Sequence, residues 1–129
     1  MLKTKRLPKE PEIFLQSFEL AKLIIKSTSW FPKPTRYVLG HKLEEKSLQF
    51  LLLLNRLVGP SGIRFQEGEG RRNLLIQLSY HLDEFRVLLR MARETGAYSA
   101  GQYDDLNTRT QSVGRQIGGM MREAKGKSV

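Results

Sequence analysis

The sequence contains no cysteine among its 129 residues, which excludes disulfide bonds, thiolate catalysis and cysteine-ligated zinc sites. It also lacks an apolar run of the ~20 residues that a membrane-spanning helix needs. The longest candidate, residues 48–54, is interrupted by Gln49 and followed by Asn55 and Arg56. The basic N-terminal residues are not followed by an apolar core with a cleavage site, so no secretory signal peptide is expected. We therefore predict a cytoplasmic protein.

Motifs of nucleophilic and phosphate-loop enzymes are also missing. No serine stands in a glycine elbow between a strand and a helix. Gly114, Gly118 and Gly119 lie inside a helical pattern and lack the Lys-Ser/Thr pair of a Walker loop. Each glycine inside a helix costs about 1 kcal/mol relative to alanine, so these three predict a face that meets a neighbouring helix or chain closely. No catalytic residue and no cofactor is predicted.

Positive charge is abundant. The chain has 22 Lys and Arg residues against 13 Asp and Glu residues, and its formal net charge of +9 favours a polyanionic partner such as nucleic acid. Six cations lie outside residues 10–124, which keep a net charge of +3. We predict a basic flexible arm over residues 1–10, one folded domain over residues 11–124 and a basic tail over residues 125–129.

Four apolar stripes with steps of three and four residues predict four amphipathic helices. Short joins at residues 31–35 and 96–99 make their flanking helices antiparallel, so the predicted fold class is an all-α, antiparallel up-down-up-down four-helix bundle. The stripes are, in chain order, Phe14, Phe18, Ala21, Ile25 and Thr28; Gly40, Leu43, Ser47, Phe50, Leu54 and Leu57; Leu75, Leu78, Leu82, Phe85, Leu89 and Ala92; and Tyr103, Leu106, Thr110, Val113, Ile117, Met120 and Ala124.

Proline, glycine and capping residues predict the helix boundaries. The first helix begins near Pro11 and is ended by two prolines, at positions 32 and 34. The second runs over residues 35–58, and a loop follows over residues 61–70. Asn73 is expected to cap the third helix, which Thr95 and Gly96 close, and Ser99 is expected to cap the fourth.

Nine basic side chains on the second and third helices and at their entries are candidates for binding nucleic acid. Arginine can form two forked hydrogen bonds to a phosphate and can stack on bases. The alternative is a solvated face whose arginines pair with Asp83, Glu84 and Glu94. The candidates are Lys33, Arg36, Lys42, Lys46, Arg71, Arg72, Arg86, Arg90 and Arg93.

Two His-x-x-Glu pairs raise the possibility of a metal-dependent bundle enzyme. His41 with Glu44 and His81 with Glu84 have the i, i+3 spacing that di-iron bundles use twice. Such sites also need inward carboxylates on the other two helices, and here the nearest glutamates flank the apolar stripes. No metal site is predicted, although the metal-dependent enzyme remains an alternative.

Two segments carry a family resemblance. They are Phe31-Pro32-Lys33 with Arg36-Tyr37 and Leu39-Gly40, and Gly96-Ala97-Tyr98-Ser99 with Gln102-Tyr103-Asp104-Asp105-Leu106 through Val113-Gly114-Arg115-Gln116-Ile117-Gly118-Gly119-Met120. The chain resembles the accessory variability determinant (Avd) family of diversity-generating retroelements. This family lies within a wider group of small four-helix bundles that includes proteins encoded by inserts in 23S ribosomal RNA genes.

The resemblance implies a homopentamer with a basic surface that binds the retroelement reverse transcriptase and the template RNA during mutagenic cDNA synthesis. It implies no catalytic activity for the chain itself. The first alternative is a bundle of the ribosomal-insert type without a reverse-transcriptase partner, and the metal-dependent enzyme is the second. A reverse-transcriptase gene beside template and variable repeats would distinguish the retroelement accessory protein from the bundle of the ribosomal-insert type.

Overall fold

The computed structural model of this chain describes residues 10–58 and 68–127. All regular structure within these ranges is helical, which confirms the all-α prediction, and its four long helical segments are consistent with a bundle. Three predicted segments lie wholly or partly outside the described residues: the arm up to residue 9, the loop at 61–67 and the last two residues of the tail. The elements are α1 (Glu12–Thr28), α2 (Lys33–Thr35), a π-helical turn (Arg36–Gly40), α3 (His41–Val58), α4 (Gly68–Glu94) and α5 (Ala100–Lys127).

The buried face of α1 differs from the predicted stripe. Ala21 and Thr28 are buried as expected, but Phe14 is only partly buried, Phe18 is exposed and Ile25 is 45% exposed. The helix has apolar residues on several sides, so spacing alone did not identify the face that packs. The observed buried face comprises Ile13, Ser17, Leu20, Ala21, Ile24 and Thr28.

Hydroxyl groups, rather than the two prolines, accompany the end of α1. The Oγ atoms of Ser27 and Ser29 donate to the carbonyls of Ile24 and Lys26 at 3.2 and 2.6 Å. Side chains that bond to backbone carbonyls in this way compete with the regular helical pattern. The helix ends at Thr28, before either proline is reached.

The second predicted helix begins two residues early and contains an irregular turn. Pro34 lies in the first turn of α2, where a missing N–H costs nothing because it would have no helical partner. The π-helical turn then buries Leu39 and Gly40. A Cβ atom at Gly40 would lie 3.5 Å from both Phe31 and Thr28, an ordinary contact distance, so the turn packs against the end of α1 without requiring a glycine at this position.

The start of α4 corrects the predicted cap at Asn73. The helix begins at Gly68, so Asn73 lies within it and the last part of the predicted loop is helical. Glu69 in the first turn is favourable near the positive end of the helix dipole. The apolar pattern begins only at Leu74, which is why it indicated a later start.

The turn between α4 and α5 agrees with the sequence prediction. Gly96 has φ = +83°, a left-handed conformation that glycine adopts without a steric penalty. The Ser99 N–H then donates to Gln102 Oε1 at 2.9 Å, while the Gln102 N–H donates to Ser99 Oγ at 3.2 Å. This reciprocal capping box confirms Ser99 as the N-cap of α5.

The core divides into two clusters along the helices. α1 contacts α3 and α5, and α4 contacts α3 and α5. One cluster comprises Ile13, Phe50, Leu53, Leu54, Leu57, Leu74, Leu75, Leu78, Leu82, Val113 and Ile117. The other comprises Leu20, Ile24, Phe31, Leu39, Leu43, Phe85, Leu89, Ala92, Tyr98 and Leu106. The predicted stripes of α3 and α4 are buried throughout, whereas Tyr103, Met120 and Ala124 of the α5 stripe are partly buried.

The described helices differ from membrane-spanning helices. None of those within residues 10–58 and 68–127 combines the length and the apolar character that crossing a membrane requires.

Candidate nucleic-acid interface

The basic candidates at the α1–α2 join are exposed. Lys33 and Arg36 form no ion pair with a described residue and lie in the same stretch of chain as Trp30 and Tyr37. These two aromatic side chains are 79% and 77% exposed. Exposed aromatic rings can stack on unpaired bases while nearby cations contact phosphates, so the join has the composition of a single-strand contact.

The two lysines of α3 both have acidic neighbours. The Lys42 ammonium lies 3.7 Å from Glu45, one turn along the same helix. Lys46 is mostly buried and reaches across to Glu84 of α4 at 2.5 Å. The hydrogen bond and the charge of Lys46 lower the pKa of the Glu84 carboxyl group. Lys46 therefore bridges two helices and is less available to an external phosphate than Lys42.

The arginines of α4 differ in their local pairing. Arg90 Nε donates to Glu94 at 2.6 Å, and this hydrogen bond raises the pKa of the guanidinium. Arg86 lies 3.7 Å from Asp83, a weaker contact between exposed groups. Arg93 donates to the Tyr98 carbonyl at 3.5 Å. The solvated-face interpretation thus correctly named the neighbours of Arg86 and Arg90.

Arg71 and Arg72 lie in the first turns of α4 rather than before it. Neither forms an ion pair with any residue in the described ranges, and Arg72 is exposed. Lys33, Arg36 and Arg93 likewise form no ion pair within the described ranges. These five candidates therefore keep a charge that no described acidic side chain offsets.

An open groove of about 560 Å³ lies between α4 and α5 and brings three arginines together. Only Arg86 was a sequence candidate. Arg115 and Arg122 were missed because the candidates were sought on the second and third helices, and the last helix was interpreted through its glycines. A signal was present, since seven residues separate the two arginines and place them on similar sides of α5. The groove is lined by Arg86, Gln111, Gly114, Arg115, Gly118 and Arg122.

The three helical glycines have different surroundings. A Cβ atom at Gly114 would overlap the Arg86 guanidinium and lie 3.3 Å from Leu82, so here α4 approaches α5 closely. At Gly118 and Gly119 a Cβ would meet only Arg122, at 3.6 and 3.8 Å. Within the described chain, close packing against a neighbouring helix is thus confirmed for Gly114 alone.

The histidines of the two His-x-x-Glu pairs lie in different environments. His41 is exposed, 3.6 Å from Glu44, and its ring packs edge-on against Tyr37. His81 has a buried Nδ1 without a hydrogen-bond partner among the described residues. Glu44 accepts a 2.5 Å hydrogen bond from Thr28. In the described ranges, no three His, Cys, Asp or Glu side chains are grouped so that they could hold a metal ion.

Comparisons with known proteins give no match for this chain. No protein-family model matches it, and neither a curated protein nor a solved structure is significantly similar to it. The functional proposal consequently depends on the placement of its charged side chains and on the resemblance of the two segments described above.

Proposed function

We propose that this chain is a non-catalytic accessory protein of a diversity-generating retroelement. In this role it forms a cytoplasmic homo-oligomer, a pentamer by family resemblance, that binds the reverse transcriptase and the template RNA in support of mutagenic cDNA synthesis. The observation that carries the proposed nucleic-acid binding is the positive charge without acidic partners among the described residues, at Lys33, Arg36, Arg71, Arg72 and Arg93, all of which except the partly buried Arg71 are exposed.

Assembly would multiply this charge. Residues 10–124 carry 16 cations and 13 anions, so five copies of this region would carry a net charge of +15. Each copy would add up to six further positive charges from its terminal segments. Such a field favours RNA binding that is strongly salt-dependent and largely independent of sequence.

Exposed apolar side chains support a protein–protein role. Tyr80, Val87 and Met91 of α4 are spaced by seven and four residues and lie opposite the buried stripe of that helix. Leu52 of α3 is 66% exposed. Exposed apolar side chains that share one helix face are typical of surfaces that pack against another chain. A second copy and the polymerase are the two partners we propose for them.

We also propose the antiparallel up-down-up-down order of the bundle. It is supported by the membership of the first core cluster, which combines residues from the start of α1, the end of α3, the start of α4 and the second half of α5. An order with parallel neighbouring helices would bring different ends together. The distance between spin labels at the exposed positions Glu12 and Arg56 would test the order, since the start of α1 and the end of α3 are close only in the antiparallel arrangement.

The function is tested by light scattering and RNA titration of the full chain. We expect a mass near five chains and RNA binding that weakens as salt rises from 50 to 200 mM, as is typical of phosphate contacts. The variant R71E/R72E should weaken RNA binding at least tenfold. K42E is the control, because Lys42 already has an acidic neighbour. A monomer that does not bind RNA would refute the proposal.

The polymerase part needs its own experiment. The chain is co-expressed with a reverse transcriptase encoded beside template and variable repeats in the same genome, and complex formation is measured by co-purification. A stable complex is expected. RNA binding without any reverse-transcriptase complex would instead favour the bundle of the ribosomal-insert type.

A further inference from the structure

The geometry points to a phosphate-binding site in the groove between α4 and α5, where Arg86, Arg115 and Arg122 surround a floor made by Gly114 and Gly118. Two of its arginines lie on the helix that the sequence analysis did not consider for nucleic-acid binding. The site does not require a reverse-transcriptase partner, so it stands or falls separately from the proposed function.

The glycines shape the groove by leaving space for guanidinium groups. Arg86 extends from α4 across the backbone of Gly114, in the space that a Cβ atom would occupy. Arg122 folds back along α5, and its terminal nitrogens lie near Gly118 and Gly119. The guanidinium groups from two helices thus lie low against α5 and border one open space. Alanine at position 114 would displace Arg86.

The charge of the groove is largely uncompensated. Arg115 and Arg122 form no ion pair with a described residue, and the only acidic neighbour recorded for Arg86 is Asp83, at 3.7 Å. That distance exceeds a charge-assisted hydrogen bond by almost 1 Å, so the Arg86 donors remain available. Among the described residues no carboxylate lines the groove, while Gln111 adds an amide that can donate hydrogen bonds.

This donor set is suited to phosphate. Guanidinium groups offer pairs of parallel N–H donors that match two phosphate oxygens, and the groove has three such groups. An open groove can hold either one phosphate group of an RNA backbone or a free phosphate-bearing molecule, because both present the same oxygens.

The test compares the full-length parent with R115Q/R122Q. The control R56Q/R109Q removes the same charge from side chains outside the groove. Probes are a fluorescein-labelled single-stranded oligouridylate, measured by anisotropy at several salt concentrations, and inorganic phosphate and ATP, measured by calorimetry. Melting temperatures confirm that each variant folds, as expected for exposed arginines.

For an RNA phosphate in the groove, R115Q/R122Q should bind the oligonucleotide at least tenfold more weakly than the control. The salt dependence should also fall by about 1.4 in slope, as expected for two lost contacts to a single strand. For a free phosphate ligand, saturable binding of phosphate or ATP should be lost in R115Q/R122Q and kept in the control. Either result supports the site and identifies its source.

Equal binding of all probes by R115Q/R122Q and by the control would overturn the inference. A second variant, G118E, introduces a carboxylate into the groove without removing an arginine, with G101E as its control because a Cβ at Gly101 would meet no other atom within 4 Å. Unchanged phosphate and RNA binding in G118E relative to G101E would equally contradict the site. A variant that loses phosphate or RNA binding in the groove but still binds the reverse transcriptase would leave the proposed reverse-transcriptase partnership intact.

Discussion

The hydroxyl groups of Ser27 and Tyr98 lie 2.6 Å apart and connect the end of α1 to the turn that precedes α5. Tyr98 is fully buried, and its ring packs edge-on against Phe31 with centroids 4.8 Å apart. The Ser27 hydroxyl also donates to the Ile24 carbonyl. One tyrosine therefore joins the end of α1 to a turn 71 residues later in the chain, which makes it a useful position for testing the packing.

Replacing Tyr98 by phenylalanine should lower the free energy of unfolding by about 1 kcal/mol, because a partly buried hydrogen bond is lost while the ring is kept. Y103F is the matched control, since Tyr103 is partly buried and no described residue forms a hydrogen bond with its hydroxyl. Urea unfolding of both variants measures the difference. Equal stability of Y98F and Y103F would show that the Ser27 bond contributes nothing.

Tyr98 should also make stability depend on pH in the alkaline range. Burial raises the pKa of its phenol to about 12, against an ordinary value near 10, although the Ser27 hydrogen bond acts in the opposite direction. A raised pKa means that the folded state holds the proton more tightly than the unfolded state. The resulting stability is fully present below pH 10 and is lost as pH rises through 12.

The loss should reach at most about 1.4 kcal/mol per pH unit in that window. Because lysines titrate there too, the measured quantity is the stability of the parent minus that of Y98F at each pH. This difference should decrease between pH 10 and 12 and stay constant below pH 9. A constant difference up to pH 12 would contradict the raised pKa.

Alanine should have different effects at Gly114 and Gly118. At Gly118 the new methyl group meets only Arg122 at an ordinary distance, so G118A should stabilise the fold by roughly 0.5–1 kcal/mol through helix propensity. At Gly114 the same gain is offset because Arg86 must move and Leu82 must shift slightly. G114A should therefore be less stable than G118A in thermal unfolding.

The same pair tests the predicted role of the glycines in assembly. If the face at Gly118 meets a second copy closely, G118A should lower the solution mass even though the isolated helix favours alanine. An unchanged mass together with higher stability would mean that Gly118 does not pack closely against a second copy. Close packing would then be limited to Gly114, which already approaches α4 within one chain.

Ser17 allows a test of how much a buried hydroxyl without a hydrogen-bond partner lowers the stability of the fold. Its side chain is buried, and its Oγ has no hydrogen-bond partner in the described part of the chain. Ser47 is also buried, but its hydroxyl donates to the Glu44 carbonyl at 2.9 Å. S17A should raise the free energy of unfolding by about 1 kcal/mol relative to S47A, because only Ser17 loses an unsatisfied group. Denaturant unfolding of both variants decides the point, and a less stable S17A would contradict it.

The agreement between sequence and structure was best where periodicity was unambiguous. Every predicted stripe residue of α3 and α4 is buried, although these helices also carry exposed apolar side chains outside the stripes, such as Leu52 and Val87. α1 was misassigned by one residue, since Phe14 and Phe18 lie beside its buried face and contact each other with centroids 6.2 Å apart. Aromatic residues at helical spacing can thus mark a flank rather than the packed face.

The candidate site was predicted less completely than the fold. Spacing along α4 identified Arg86, but Arg115 and Arg122 join it only because α5 packs against α4 beside Gly114. Lys46 was a candidate because of its charge, whereas its side chain is only 20% exposed and is bonded to Glu84 of α4. Pairing across helices depends on their relative rotation, which local spacing does not encode.

The sequence by itself determined the all-helical class, the capping box at Ser99, the turn at Gly96 and the excess of positive charge, because these depend on residues close together in the chain. The tertiary structure alone decided which face of α1 is buried, which cations are neutralised and which arginines share a groove. Those outcomes depend on contacts between residues far apart in sequence, and such contacts exist only once the helices have packed.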